Sequence, residues 1–261
     1  MILRKRTAQF QLSMAAALWA ALLVLGIAQA SAQDHSTDSS HDGHEGISMV
    51  MDEQTQVDAS DRAKLLADKR ESEFNHHLAG FFVILAGVFI LAEGTLPQRW
   101  SFLRFAWPSC FLLSGLFLLV FSDTELWPFG PQRWWYGLTH NLEDLQHKTF
   151  AVILLALGIL EVQRARGVLK SAKAGWAFPV LAFCGSVMLL FHEPHSGMHG
   201  AEHMTVMFRI QAEHLNFAFA GFGIGVFKGL SELPTRWQVT FARIWSLLMM
   251  VLGVLLVLYT E

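Results

Sequence analysis

Apolar residues come in long unbroken runs along this chain rather than at alternating or single-face positions. Six runs, at about 76–94, 101–121, 147–163, 175–192, 205–228 and 237–259, each approach the roughly 20 residues that a membrane-crossing helix needs. Gly94 with Pro97, Trp127-Pro128 with Gly130-Pro131, and Leu233-Pro234 punctuate the connections. Pro108 and Pro179 fall near span ends, where neighbouring helices can absorb a kink. The pattern predicts an all-α fold, a six-helix transmembrane bundle within 76–261.

The amino-terminal part reads differently. Arg4, Lys5 and Arg6 precede an apolar stretch at about 14–27 and the small-residue run Ala28-Gln-Ala-Ser-Ala32, the layout of a cleaved secretory signal over 1–32. Residues 33–58 are polar, His- and Asp-rich and low in complexity, so they are expected to form a disordered tail outside the cytoplasm. The stretch 59–75 has helical composition with a Ser60/Asp61 start, and predicts an interfacial helix leading into the first span.

Composition agrees with a membrane protein. The chain of 261 residues is 53 % hydrophobic and 16 % charged, against about 25 % charged for a soluble domain. A net charge of −3 with no basic patch outside the membrane-flanking loops excludes a nucleic-acid partner. Cationic side chains gather in the first, third and fifth connections, as Arg99, Arg104, Arg164, Arg166, Lys170, Lys173, Lys228 and Arg236, whereas the second and fourth carry Arg133 and Lys148, with Arg209 just inside the fifth span. By the positive-inside rule this sets the tail in the periplasm of a bacterial inner membrane, with Trp127, Trp134, Trp135 and Tyr136 as an outer aromatic belt. Cys110 and Cys184 lie in apolar runs and read as small apolar residues rather than a disulfide framework.

The candidate chemistry follows from that sidedness. All twelve histidines fall on the outer side of the predicted topology. His76 and His77 open the first span, preceded by Glu73. His140 and His147 flank the start of the third, with Asp144 three residues before His147, where its carboxylate is expected to hold the second imidazole nitrogen. His192, His195, His199 and His203 fill the next outer connection, and His203, Met207, Ile210 and His214 share one helix face. Ionisable groups at this depth are costly and mark a functional interior. Imidazole suits copper and zinc, and thioether favours Cu(I), so Met198, Met204 and Met207 among the histidines point to copper. Cleavage after Ala32 would add Gln33-Asp34-His35, whose amine, amides and His35 imidazole make a square-planar Cu(II) set.

Two other readings stand beside copper. His77, His147 and His214 are candidates for a single b-type haem in the outer leaflet, which would make the protein an electron-transfer subunit. His199-Gly-Ala-Glu202-His203 matches H-x-x-E-H, the ligand-and-base pattern of a zinc-dependent membrane protease. No catalytic set is assigned beyond that motif. With HEPHSGMHGAEHM on a multi-span scaffold behind a signal-type amino terminus, Glu73–Glu261 resembles in layout the bacterial copper-resistance membrane proteins of the copper resistance protein D type. The resemblance implies copper uptake, handling or tolerance. The expected partners are a metal ion, the lipid bilayer and a periplasmic copper carrier.

Overall fold

The computed structural model describes residues 50–191 and 201–260, with the side chains of 50–62, Leu65, Gln98 and 201–207 outside the description. The chain divides into two compact units, Met1–Ala63 and Lys64–Glu261, and the second holds the bundle. The elements are α1 (Val50–Glu93), a 3-10 turn (Gln98–Trp100), α2 (Leu103–Phe121), α3 (Trp134–His140), α4 (Leu142–Ala165), α5 (Ala172–Gly175), α6 (Ala177–Leu189), α7 (Ala201–Ser231) and α8 (Gln238–Val257).

Five stretches among the described residues are long and apolar enough to cross a membrane: Leu66–Glu93, Leu103–Phe121, Leu142–Ala165, Ala172–Leu189 and Gln238–Val257. Large apolar side chains such as Phe81, Leu113, Val152, Ile159, Phe183 and Phe219 face outward, where water would disfavour them and acyl chains would not. The protein is a multi-pass, all-α membrane protein.

Two boundaries differ from the sequence expectation. The first helix starts at Val50, inside the stretch expected to be disordered, and is one element through 59–75 into the span. Nothing local stops it, since no glycine lies between Gly46 and Gly80 and no proline precedes Pro97. The expected fifth span is part of α7, which is helical but less apolar than the other five. Gln211, Glu213, His214 and Asn216 interrupt its first half.

Of these polar residues His214 alone is buried, within the packing of the bundle. α7 packs between α6 and α8, while α2 packs on α4. Helices α1 and α8 meet where Gly80 faces Gly253: a Cβ on Gly80 would lie 2.6 Å from the Gly253 carbonyl oxygen. Small residues at such a crossing let backbones approach and collect dispersion energy that lipid cannot otherwise supply.

The bundle is tied at both ends by buried charges. At the end where α4 finishes, Arg164 binds Glu161 (2.9 Å) and Glu232 (2.7 Å), and Lys228 also pairs with Glu232. Burial alone would raise the Glu232 carboxyl. The Arg164 hydrogen bond and Lys228 outweigh it and hold the group below its ordinary value. Above this network lies an aromatic cluster in which Trp107, Phe178 and Trp245 have ring centroids 5.6–6.4 Å apart. The Lys228 ammonium stands 5.3 Å from the Trp245 ring, a cation–π contact that softens its burial.

Candidate metal centre

At the opposite end, three histidines from three helices come together. His76 of α1 has its ring centroid 5.8 Å from that of His214 in α7 and 6.5 Å from that of His147 in α4. Each ring is fixed through Nδ1. His76 Nδ1 donates to the Ser72 carbonyl (2.8 Å) and His214 Nδ1 to the Ile210 carbonyl (2.8 Å), each one turn back on its own helix. A carbonyl oxygen only accepts, so Nδ1 carries the proton and the Nε2 of a neutral ring carries the lone pair. That is the tautomer a metal ligand needs.

His147 is fixed from a loop. Its Nδ1 lies 2.9 Å from Asp123 Oδ1, and Lys148 Nζ lies 2.7 Å from Asp123 Oδ2. The helix α1 holds that loop in place. Glu71 accepts from the backbone N–H (3.1 Å) and hydroxyl (2.7 Å) of Thr124, and Asn75, one turn on, donates to the Ser122 carbonyl (3.1 Å). Asp123 sits between those two anchors and reaches α4. Its burial would raise the carboxyl, but hydrogen bonds and charge from His147 and Lys148 more than offset this and hold it below the usual range. Because Lys148 neutralises Asp123, the pair beside His147 carries no net charge.

A tyrosine near the carboxyl end completes the cluster. Tyr259, 1 % exposed, stacks on His76 at 4.0 Å and meets His214 edge-on at 5.8 Å. His77 Nε2 donates to the Tyr259 carbonyl (2.9 Å), and Arg209 bonds the neighbouring Thr260 hydroxyl. These contacts pin the segment after α8 over the imidazoles.

The sequence candidates divide accordingly. His76, His147 and His214 are brought together, and His77 braces them through Tyr259. The His147 Nδ1 contact goes to Asp123 and not to the Asp144 carboxylate expected from the sequence. Asp144 accepts from Asn141 Nδ2 (2.9 Å) at the start of α4, where a carboxylate is favoured by the helix dipole and by the Asn141 cap. The partner, Asp123, comes from another connection, and sequence spacing carries no signal for it. His140 stands exposed on α3, stacked on Tyr136 at 4.3 Å. Glu73 pairs with Lys69 at 3.7 Å. His203 and Met207 lie in α7, but their side chains are outside the description; His35, His192, His195 and His199 lie outside the described residues. The aromatic belt at this end shows Trp127, Trp135 and Tyr136 exposed.

The donor chemistry fits a soft or borderline metal, with Nε2 edges supplied by three helices and Nδ1 held by acceptors. The spacing is open. Two rings bound through Nε2 to one ion at about 2.1 Å would have centroids roughly 5–5.5 Å apart. Among the described residues no group of three or more His, Cys, Asp or Glu is set closely enough to hold an ion as it stands.

Beneath the imidazoles the bundle encloses a cavity of about 210 Å³, lined by side chains of α1, α2, α4, α6, α7 and α8. Its rim is polar, with Asn75, Gln146 and the three histidines; its body is almost wholly apolar.

No protein family, curated protein or solved structure with which the chain was compared matches it.

Proposed function

We propose that this membrane protein binds copper at the outer face of a bacterial inner membrane and serves copper handling, uptake or tolerance. The observation that carries the reading is the approach of His76, His147 and His214 from three helices with Nδ1 of each ring held by an acceptor. Such outer-shell bonds orient ligating imidazoles and raise their basicity. The His/Met segment 192–207, which follows α6 in sequence, supplies the thioethers that favour Cu(I) over zinc. A periplasmic copper carrier would deliver to this face, in keeping with the layout shared with copper resistance protein D type proteins.

The test is metal content beside the visible spectrum. Protein purified from copper-supplemented cells is expected to carry copper near one equivalent, with no Soret band. The double variant His147→Ala/His214→Ala is expected to lose it while remaining monodisperse in detergent. A Soret band lost in that variant would transfer the centre to haem. Zinc in place of copper, with peptide cleavage abolished by Glu202→Gln, would transfer it to the protease reading.

A further inference from the structure

We infer that the cavity beneath the histidines is a binding site for a lipid-soluble quinone, its ring lying between the imidazole rim and Ser114. Four observations converge on that ligand class.

The first is an orphan hydroxyl. Ser114 in α2 is 1 % exposed and lines the cavity, and its Oγ has no hydrogen-bond partner among the described residues. Other buried helix serines back-bond to their own helix, Ser186 to the Ala182 carbonyl (2.8 Å), Ser231 to that of Lys228 (2.7 Å) and Ser246 to that of Arg243 (2.8 Å). Ser114 forgoes that bond and leaves its hydroxyl at the wall of the cavity. A buried hydroxyl left unpaired costs on the order of 1–3 kcal/mol, so a ligand oxygen there recovers what the fold gives up.

The second is the separation of polar levels. Ser114 is eight residues before Ser122, or about 12 Å deeper along the helix axis. The upper level is the rim of imidazoles with Asn75 and Gln146. A ligand that satisfies both needs an oxygen at each end of an apolar body. The third is the wall: Phe111, Phe150, Phe178 and Phe217 offer aromatic rings to a flat molecule, and among the described residues no lysine or arginine lines the space, so an anionic fatty acid finds no counter-ion there. The fourth is size. About 210 Å³ is below the roughly 300–1,000 Å³ of pockets for drug-sized ligands, enough for one substituted ring and not for a porphyrin.

The inference shares the imidazole rim with the copper reading but rests on Ser114 and the cavity body, so the two can fail separately. The full-length protein in detergent is titrated with a decyl-substituted benzoquinone, and tryptophan fluorescence is followed against a protein-free micelle control. Saturable quenching is expected, weakened about fivefold to tenfold by Ser114→Ala, the loss expected for one buried hydrogen bond. Ala182→Phe, which fills the cavity from α6, is expected to abolish it, and dodecanoate is not expected to compete. Copper content is measured in the same samples and is expected to be unchanged by Ser114→Ala. Quenching that never saturates, that ignores Ser114→Ala, or that dodecanoate displaces overturns the quinone assignment. Retained copper without quinone binding overturns this inference alone. Because Ser114→Ala removes a single oxygen, its result stands even where Ala182→Phe fails to fold.

Discussion

His76, His147 and His214 converge from three helices, while His140, on the same sequence face as His147, stands exposed. His147 stands at the start of an apolar run and His214 about two turns into another, so their depth could be counted. Their supports could not. Asp123 belongs to a connection whose path is set by Glu71 and Asn75 of another helix, and Tyr259 returns over His76 only because His77 and Arg209 hold the chain after α8. Such contacts depend on tertiary placement, which spacing within one helix does not encode. Asp123→Asn tests the support directly. It leaves Lys148, whose side chain is 6 % exposed, buried without its counter-ion, and removal of one partner from a buried pair costs roughly 3–5 kcal/mol. The expected outcome is a loss of that order in denaturant titration of the detergent-solubilised protein, largely recovered in Asp123→Asn/Lys148→Met. Copper affinity is expected to fall about 10–100-fold in the single variant, read by competition with a chelator. The same carboxylate sets a pH dependence. Its folded value is depressed, so its contribution is fully present above the unfolded value near 4 and is lost as pH falls through the lower, folded one. Wild-type stability is therefore expected to decline below about pH 4 more steeply than that of Asp123→Asn.

At the level of elements, apolar run length located the spans because lipid requires every backbone group to be bonded within its own helix. Run length says less about α7. It packs between α6 and α8 and turns His214 into the interior, while Gln211 and Asn216 stay exposed in the same half, so its hydropathy falls below that of its neighbours. Hydropathy also could not reveal which small residues are contacts. Gly80 and Phe81 are adjacent in α1 with opposite roles: Gly80 is buried against Gly253 and Phe81 is 52 % exposed. Gly80→Leu is expected to separate α1 from α8 and to cost at least the roughly 1–3 kcal/mol of an overpacked core. Because α1 carries His76, the same variant should also weaken copper binding. Phe81→Leu should stay within about 0.5 kcal/mol of wild type. Equal stabilities for the two variants would contradict the close crossing.

For the whole molecule, the arrangement is one of opposed ends. Buried charges close both, but among the described residues imidazoles gather at only one, and the aromatic cluster of Trp107, Phe178 and Trp245 stands between the cavity and the Arg164–Glu232 network. Which end faces out is a property of the chain in its membrane, and charge sets it. Arg164 in the last turn of α4 and Arg166, Lys170 and Lys173 beyond it cluster at one end, while His140 and the exposed tryptophans lie before its start. Thr139 and Ser171 are exposed residues on either side of that helix, so they must lie on opposite faces of the bilayer if α4 spans it. In a Cys110→Ser/Cys184→Ser background, Thr139→Cys is expected to react in intact spheroplasts with a membrane-impermeant maleimide, and Ser171→Cys only after the membrane is opened. Labelling of both from one side would remove α4 from the bilayer. The reverse pattern would put the histidines in the cytoplasm, where a reducing environment and tight copper buffering make an open imidazole centre a poor receiver.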